Sequence, residues 1–182
     1  GRAMALRFAQ AGAHVVVNDV VMDDGRLNSA ASEIEKLGRR ALAVRADISK
    51  KSEITAMFKK VDAEFGRIDV LVNNAAITLG APIVNLEESD WDKAMGIGLK
   101  GAFMCSQEAG KRMMLQRSGN IINIASIRGF RPKAGYCPYG VIKAAIILLT
   151  QQLTRELGDF NIRANAIAPG YIKTEMIKVY WE

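Results

Sequence analysis

The chain has 182 residues, of which 49% are hydrophobic, so residues 1–182 are expected to form one domain with a sizeable core. Its net charge of +6 is spread among interleaved acids, as in KKVDAEFGR, and no aromatic-basic stripe is present, which argues against a nucleic-acid partner. No run of about 18 apolar residues and no tripartite leader occurs, so neither a membrane span nor a signal peptide is expected. The single histidine, His14, cannot build a histidine-based metal site or triad. The two cysteines, Cys105 and Cys137, suit reduced thiols and a cytoplasmic location better than a disulfide framework.

In chain order, GRAMALRFAQAGA opens as a helix and HVVVN (14–18) follows as a strand. DDGRLNSAASEIEKLG then reads as a helix closed by Gly38, and ALAVRA (41–46) as the next strand. SKKSEITAMFKKVDAEFG reads as a helix capped by its first serine and closed by Gly66, ahead of a strand in IDVLVN (68–73). SDWDKAM starts a longer helix reaching about Gln116. A strand in NIINIA (120–125), a helix opening at YGVIK (139–143) and a strand in IRANAIA (162–168) complete the series. The strand runs are almost continuously apolar, as strands covered on both faces are. Alternation of strand and helix predicts an α/β fold, a doubly wound parallel sheet of Rossmann type.

In such a fold the opening helix follows a central strand and a glycine-rich turn. The expectation is therefore of a chain lacking that strand, which belongs between the strands at 14–18 and 68–73. The closing TEMIKVYWE starts a helix and stops, so the C-terminal end is also expected to be incomplete.

Several positions suggest a nucleotide site. Gly1 opens a helix, and Asp19 closes the following strand 18 residues later, in the manner of the back half of a dinucleotide fingerprint. Asp19 is equally readable as a surface carboxylate. Asp47 ends the second strand, and VNNAA follows the third with small residues and amides that admit a flat ligand, although paired asparagines also form turns. In YGVIK, Tyr139 and Lys143 lie one helical turn apart on one face. A core tyrosine beside a lysine snorkelling to water is the competing reading.

Together these residues resemble the short-chain dehydrogenase/reductase family over essentially the whole chain, in the branch of 3-oxoacyl-carrier reductases and sugar or sugar-acid dehydrogenases. The resemblance implies that Gly1 is the last glycine of the family's phosphate-binding turn and that Asp47 and Ile48 lie beside the adenine. It places Asn74 and Ala75 in the family's N-N-A-G segment, with Ala76 replacing the glycine. Ser126 stands 13 positions before Tyr139, at the family spacing. In APGYIKTEM, Pro169 and Gly170 match the P-G stretch, and Ile172 and Thr174 would meet the nicotinamide amide.

The resemblance implies catalysis by Ser126, Tyr139 and Lys143: the serine polarises a carbonyl, the tyrosine is the general acid/base, and the lysine favours the phenolate and holds the ribose hydroxyls. A free phenol exchanges protons near pH 10, so a neighbouring positive charge helps it work near neutrality. One position departs from the pattern: Gly98 stands where the family carries the asparagine that completes its tetrad. Three readings stand open: a water in the vacated space that restores part of the proton relay, a sequence error, or a weakened enzyme.

The expected activity is hydride transfer between a nicotinamide and a secondary alcohol or ketone. NAD is expected over NADP, because Asp19 would clash with a 2′-phosphate. The alternative is a cofactor-binding protein with little catalysis, through Gly98 or the missing ends. A small-molecule substrate and a homodimer or homotetramer are implied by resemblance. Arg128, two positions beyond Ser126, is a candidate for an anionic substrate group, or else belongs to a solvated basic loop with Arg131 and Lys133.

Overall fold

The computed structural model describes residues 1–173 apart from Asp23. Five parallel strands alternate with helices, as the apolar runs predict. They are β1 (Val15–Asp19), β2 (Ala41–Arg45), β3 (Val70–Asn73), β4 (Gly119–Ile124) and β5 (Ile162–Ile167). The helices are α1 (Arg2–Gln10), α2 (Arg26–Lys36), α3 (Lys51–Phe65), α4 (Glu88–Met95), α5 (Ala102–Gln116) and α6 (Cys137–Leu157). Two parallel ladders form, β1–β2 and β3–β4–β5, and among the described residues no strand joins β1 to β3.

Strand periodicity decides the layers. Val15 and Val17 on β1, with Ala41 and Ala43 on β2, pack against Leu27, Ala30, Ala31 and Ile34 of α2 and Ala9 of α1. Their alternates Val16, Leu42 and Val44 face the opposite way, toward Ile54 and Phe58 of α3 and Met104 and Met113 of α5. Adjacent side chains on a strand point to opposite faces, so near-continuous apolar runs are what a sheet with helices on both sides requires.

Helix ends follow local chemistry. Gly38 and Gly66 close their helices in the left-handed region, with φ of 73° and 69°. Ser49 does not cap α3 as expected. Its Oγ instead donates to Asp47 Oδ1 at 2.7 Å, and Lys50 takes the N-cap position. His14 is exposed at the start of β1, where its Nδ1 accepts the Arg40 amide at 3.0 Å.

Two expectations need correction. The helix read from SDWDKAM to Gln116 is interrupted by a π turn at Gly96–Gly101, sequence GIGLKG. Close approach on both sides explains the glycines. A Cβ at Gly101 would meet both the side chain and the carbonyl oxygen of Ile48 at 2.9 Å, and one at Gly98 would meet Ile142. Helix α6 begins at Cys137 rather than Tyr139, with Pro138 in its first turn, where a missing N–H costs nothing.

Candidate active site

Because the strands within each ladder run parallel, each ladder gathers its carboxyl ends along one edge. Asp19 and Arg45 are register partners at the ends of β1 and β2, and Ile124 and Ile167 at the ends of β4 and β5. The loops that follow carry most of the residues singled out from sequence.

The chain just beyond β4 is held from two sides. Ala125 donates its amide to the Ile167 carbonyl at 2.8 Å, and Ile127 to the Pro169 carbonyl at 3.1 Å. This zipper sets the 167–170 segment alongside Ser126. A 3₁₀ turn at Ile127–Gly129 follows, and Ser126 Oγ accepts the Arg128 amide at 3.2 Å. A hydroxyl that accepts in this way still carries its own O–H for a substrate oxygen.

The turn lies directly on α6. A Cβ at Gly129 would come within 2.9 Å of the Lys143 carbonyl carbon, and one at Gly140 within 3.4 Å of the Arg128 oxygen. Glycine at both positions allows this close backbone contact. The Lys143 ammonium donates to the Ile124 carbonyl at 2.5 Å and lies 5.4 Å from the centroid of the Tyr139 ring. Lys143 is only 5% exposed, and burial pulls its ammonium from the ordinary 10.5 down to about 8. Tyr139 is half-buried, with one face toward that charge. The snorkelling-lysine reading is therefore wrong: the ammonium points inward, to the end of β4.

Beneath this site runs a polar chain that sequence reading missed. Asn73 Nδ2 donates to Ser106 Oγ at 2.9 Å and to Asn123 Oδ1 at 2.8 Å, and Asn123 Nδ2 donates to Thr150 Oγ at 2.8 Å. Asn123 and Ser106 are fully buried, and their pairing makes that burial tolerable. Asn73 thus braces the β3 end rather than forming a turn.

The residues present fit a dinucleotide. Gly1 opens α1, and a Cβ built there would lie 3.5 Å from Asn74 Nδ2, so these two positions from different loops border one space. Asp19 is exposed, with Oδ1 accepting the Val21 amide at 3.1 Å and the carboxylate held at the strand end. Asp47 is held below its ordinary carboxylate value, first by hydrogen bonding to Ser49. Ile48 packs on the π turn, while Ala75, Gly170 and Ile172 are exposed along the loops. Thr174 lies outside the described residues.

Arg128 does not stand open. Its guanidinium donates to the Tyr171 hydroxyl and lies 5.5 Å from the centre of that ring, so it ties the turn after β4 to the loop after β5. Nor is there room for a water in place of the tetrad asparagine. A Cβ at Gly98 would already lie 2.9 Å from Ile142 Cγ2 and 3.1 Å from Cδ1, so Ile142 fills the space. Among the described residues no cluster of three His, Cys, Asp or Glu could hold a metal, and no helix is long and apolar enough to cross a membrane.

The short chain dehydrogenase family model matches residues 1–182. The chain is 40% identical over 176 residues to the (2S)-[(R)-hydroxy(phenyl)methyl]succinyl-CoA dehydrogenase subunit BbsD of Thauera aromatica, covering 97% of this chain and 70% of that one. It is 39% identical to the 3-oxoacyl-[acyl-carrier-protein] reductase FabG of Staphylococcus epidermidis, covering 97% and 72%. Among solved structures, NAD+-bound xylitol dehydrogenase superposes with a TM-score of 0.92 at 31% identity, covering 97% of this chain and 68% of the other. A gluconate 5-dehydrogenase from Burkholderia cenocepacia, in complex with NADP and tartrate, superposes with a TM-score of 0.89 at 30% identity, covering 98% and 70%. With its parallel α/β architecture and a family match along its whole length, this chain belongs to the short-chain dehydrogenase/reductase family of nicotinamide-dependent oxidoreductases.

Proposed function

We propose that the protein interconverts a secondary alcohol and its ketone, using NAD in preference to NADP, with a sugar, sugar acid or 3-oxoacyl compound as substrate. One observation carries the reading: a buried lysine ammonium lies against the Tyr139 ring, on the stretch of α6 where the Ser126 turn is packed. A core tyrosine needs no such charge, whereas a proton-transferring phenol gains from one.

The nicotinamide would supply the hydride acceptor or donor. Gly1, Asn74 and Ala75 would border its phosphates and ribose, Asp19 would accept from the adenosine 2′-hydroxyl, and Asp47 and Ile48 would flank the adenine. Pro169, Gly170, Ile172 and Thr174 would line the nicotinamide end, and Lys143 would hold the second ribose.

In the reducing direction the substrate carbonyl oxygen accepts the O–H groups of Ser126 and Tyr139. As the carbonyl carbon becomes tetrahedral, the phenolic proton passes to that oxygen, which ends as the alcohol hydroxyl. The phenolate left on Tyr139 is balanced by the Lys143 ammonium, already fixed by the Ile124 carbonyl. Oxidation runs the same proton back. This geometry is set before substrate arrives, so little reorganisation is needed during transfer.

A cytoplasmic homodimer or homotetramer is part of the same reading. Exposed apolar side chains on neighbouring helices, Phe103 on α5 and Leu148 on α6, support association with a second copy. The deciding experiment follows NADH oxidation by the purified protein with a panel of sugar-derived and 3-oxoacyl ketones. Turnover is expected in the wild type and lost by roughly 10²–10⁴-fold in Tyr139→Phe. Equal activity in both proteins overturns the assignment of Tyr139.

A further inference from the structure

The π turn and α6 meet at two residues, Gly98 and Ile142, to which the proposed mechanism gives no role. Gly98 is buried, and the space beyond its Cα is taken by the Cγ2 and Cδ1 methyls of Ile142, at 2.9 and 3.1 Å from where a Cβ would stand. Ile142 is 2% exposed. It belongs to one buried cluster with Ala94 of α4, Ala102 of α5 and Ala125 just past β4, so it sits in the packing layer shared by these elements. It is also the residue immediately before Lys143.

The fit is reciprocal. Any side chain at 98 would collide with Ile142, and any smaller residue at 142 would leave Gly98 facing a hole. A glycine inside a helix costs about 1 kcal/mol against alanine, so its presence needs a packing reason, and Ile142 supplies one. A β-branched side chain has essentially one χ1 rotamer in a helix and makes a stiff plug.

We infer that Ile142 is a positioning residue: seated over Gly98, it fixes by apolar packing the turn of α6 that presents Tyr139 and Lys143. The inference rests on the oxidoreductase reading proposed above. It makes Gly98 and Ile142 a complementary pair, each tolerable only with the other, and it makes Gly98 a feature of an active protein rather than a lesion.

The test is a double-mutant cycle, Gly98→Asn and Ile142→Ala singly and together, with Ile142→Val as the conservative variant. Thermal midpoints are measured without cofactor or substrate, and kcat and KM for NADH with one ketone. Gly98→Asn alone is expected to lower the midpoint, and adding Ile142→Ala to it should raise the midpoint again. Ile142→Ala alone should lower kcat by roughly tenfold or more through loosened geometry, with KM for NADH within about twofold. Ile142→Val should stay near wild type, and the double variant should regain most of the lost kcat.

Additive midpoints would show that the two residues are not a pair. A lowered midpoint with unchanged kcat in Ile142→Ala would make Ile142 plain core. Either result overturns the inference. A wild type inactive toward every ketone, with the midpoints still coupled, would instead strike the oxidoreductase reading and with it the positioning role, leaving only the packing pair.

Discussion

The Lys143 ammonium donates to the Ile124 carbonyl at 2.5 Å, tying α6 to the end of β4 two residues before Ser126. The bond holds a charge inside the protein, and burial lowers its proton affinity to about 8 from 10.5. The sign of the resulting pH effect follows from linkage. Below about pH 8 both folded and unfolded chains are protonated at Lys143, and the burial penalty stands in full. Between about 8 and 10.5 the unfolded chain binds more protons, so the contribution to stability rises with pH. The penalty removed across that window is about 3 kcal/mol.

Lys143→Met should therefore be more stable than wild type at neutral pH, with the gap closing as pH approaches 10. Urea midpoints of both proteins across that range measure it. A gap independent of pH would show that the ammonium pays no burial penalty.

The Ser126 turn offers a second test. A Cβ on Gly129 would meet the Lys143 carbonyl carbon at 2.9 Å and the Ala144 nitrogen at 3.0 Å. These are backbone atoms and cannot rotate away. Gly129→Ala should lift the turn off α6 and carry Ser126 with it. Catalysis is expected to fall by about 10²-fold, because a small misplacement of a reacting group is enough. Stability should fall by about 1–3 kcal/mol, in the range of other overpacked sites. Gly158→Ala, where a Cβ meets open space, is the control and should change neither. Activity of Gly129→Ala equal to wild type would mean that the turn does not set Ser126.

The strands were legible because Val15–Val17 and Ile121–Ile124 announce burial on both faces, and the helix stops because Gly38 and Gly66 take the left-handed conformation. Spacing alone put Tyr139 and Lys143 on one helical face, while Ser126 and the roles of all three came only from the resemblance to the family motifs. The π turn was not legible. GIGLKG keeps a helical pattern, and the extra residue in its turn is decided by Ile48 and Ile142 pressing from outside. The Asn73–Asn123–Thr150 chain was equally hidden, because each asparagine finds its partner on another element. What escaped the sequence is in each case a contact distant along the chain.

The proposed preference for NAD rests on Asp19. Its carboxylate, fixed by the Val21 amide, would accept from a 2′-hydroxyl but repel a 2′-phosphate. NAD should be preferred over NADP by about ten- to several-hundred-fold in kcat/KM. Arg45, the register partner of Asp19 on β2, brings a cation to the same edge. Asp19→Ser should therefore shift the preference toward NADP, and Asp19→Ser/Arg45→Ala should reduce that shift. Comparing kcat/KM for both cofactors in the three proteins checks this, and a wild type that prefers NADP would overturn it.

Arg128 is the candidate for reading a negative charge on the substrate. Its guanidinium is held on the Tyr171 hydroxyl and ring, which keeps the fork half-buried beside the Ser126 turn. A carboxylate or phosphate suits that planar fork, and a neutral alcohol gains nothing comparable from it. The contact is worth about 1.5–3 kcal/mol, or roughly ten- to a hundredfold in kcat/KM. Arg128→Ala should cost an anionic substrate that factor while a matched neutral one loses little. Tyr171→Phe separates the two roles of the arginine, since it removes the hydroxyl that anchors the fork but leaves the charge. If Arg128 reads charge, Tyr171→Phe should keep most of the preference for the anion. If Arg128→Ala and Tyr171→Phe cost both substrates equally, the pair is a latch between the two loops and charge reading by Arg128 is refuted.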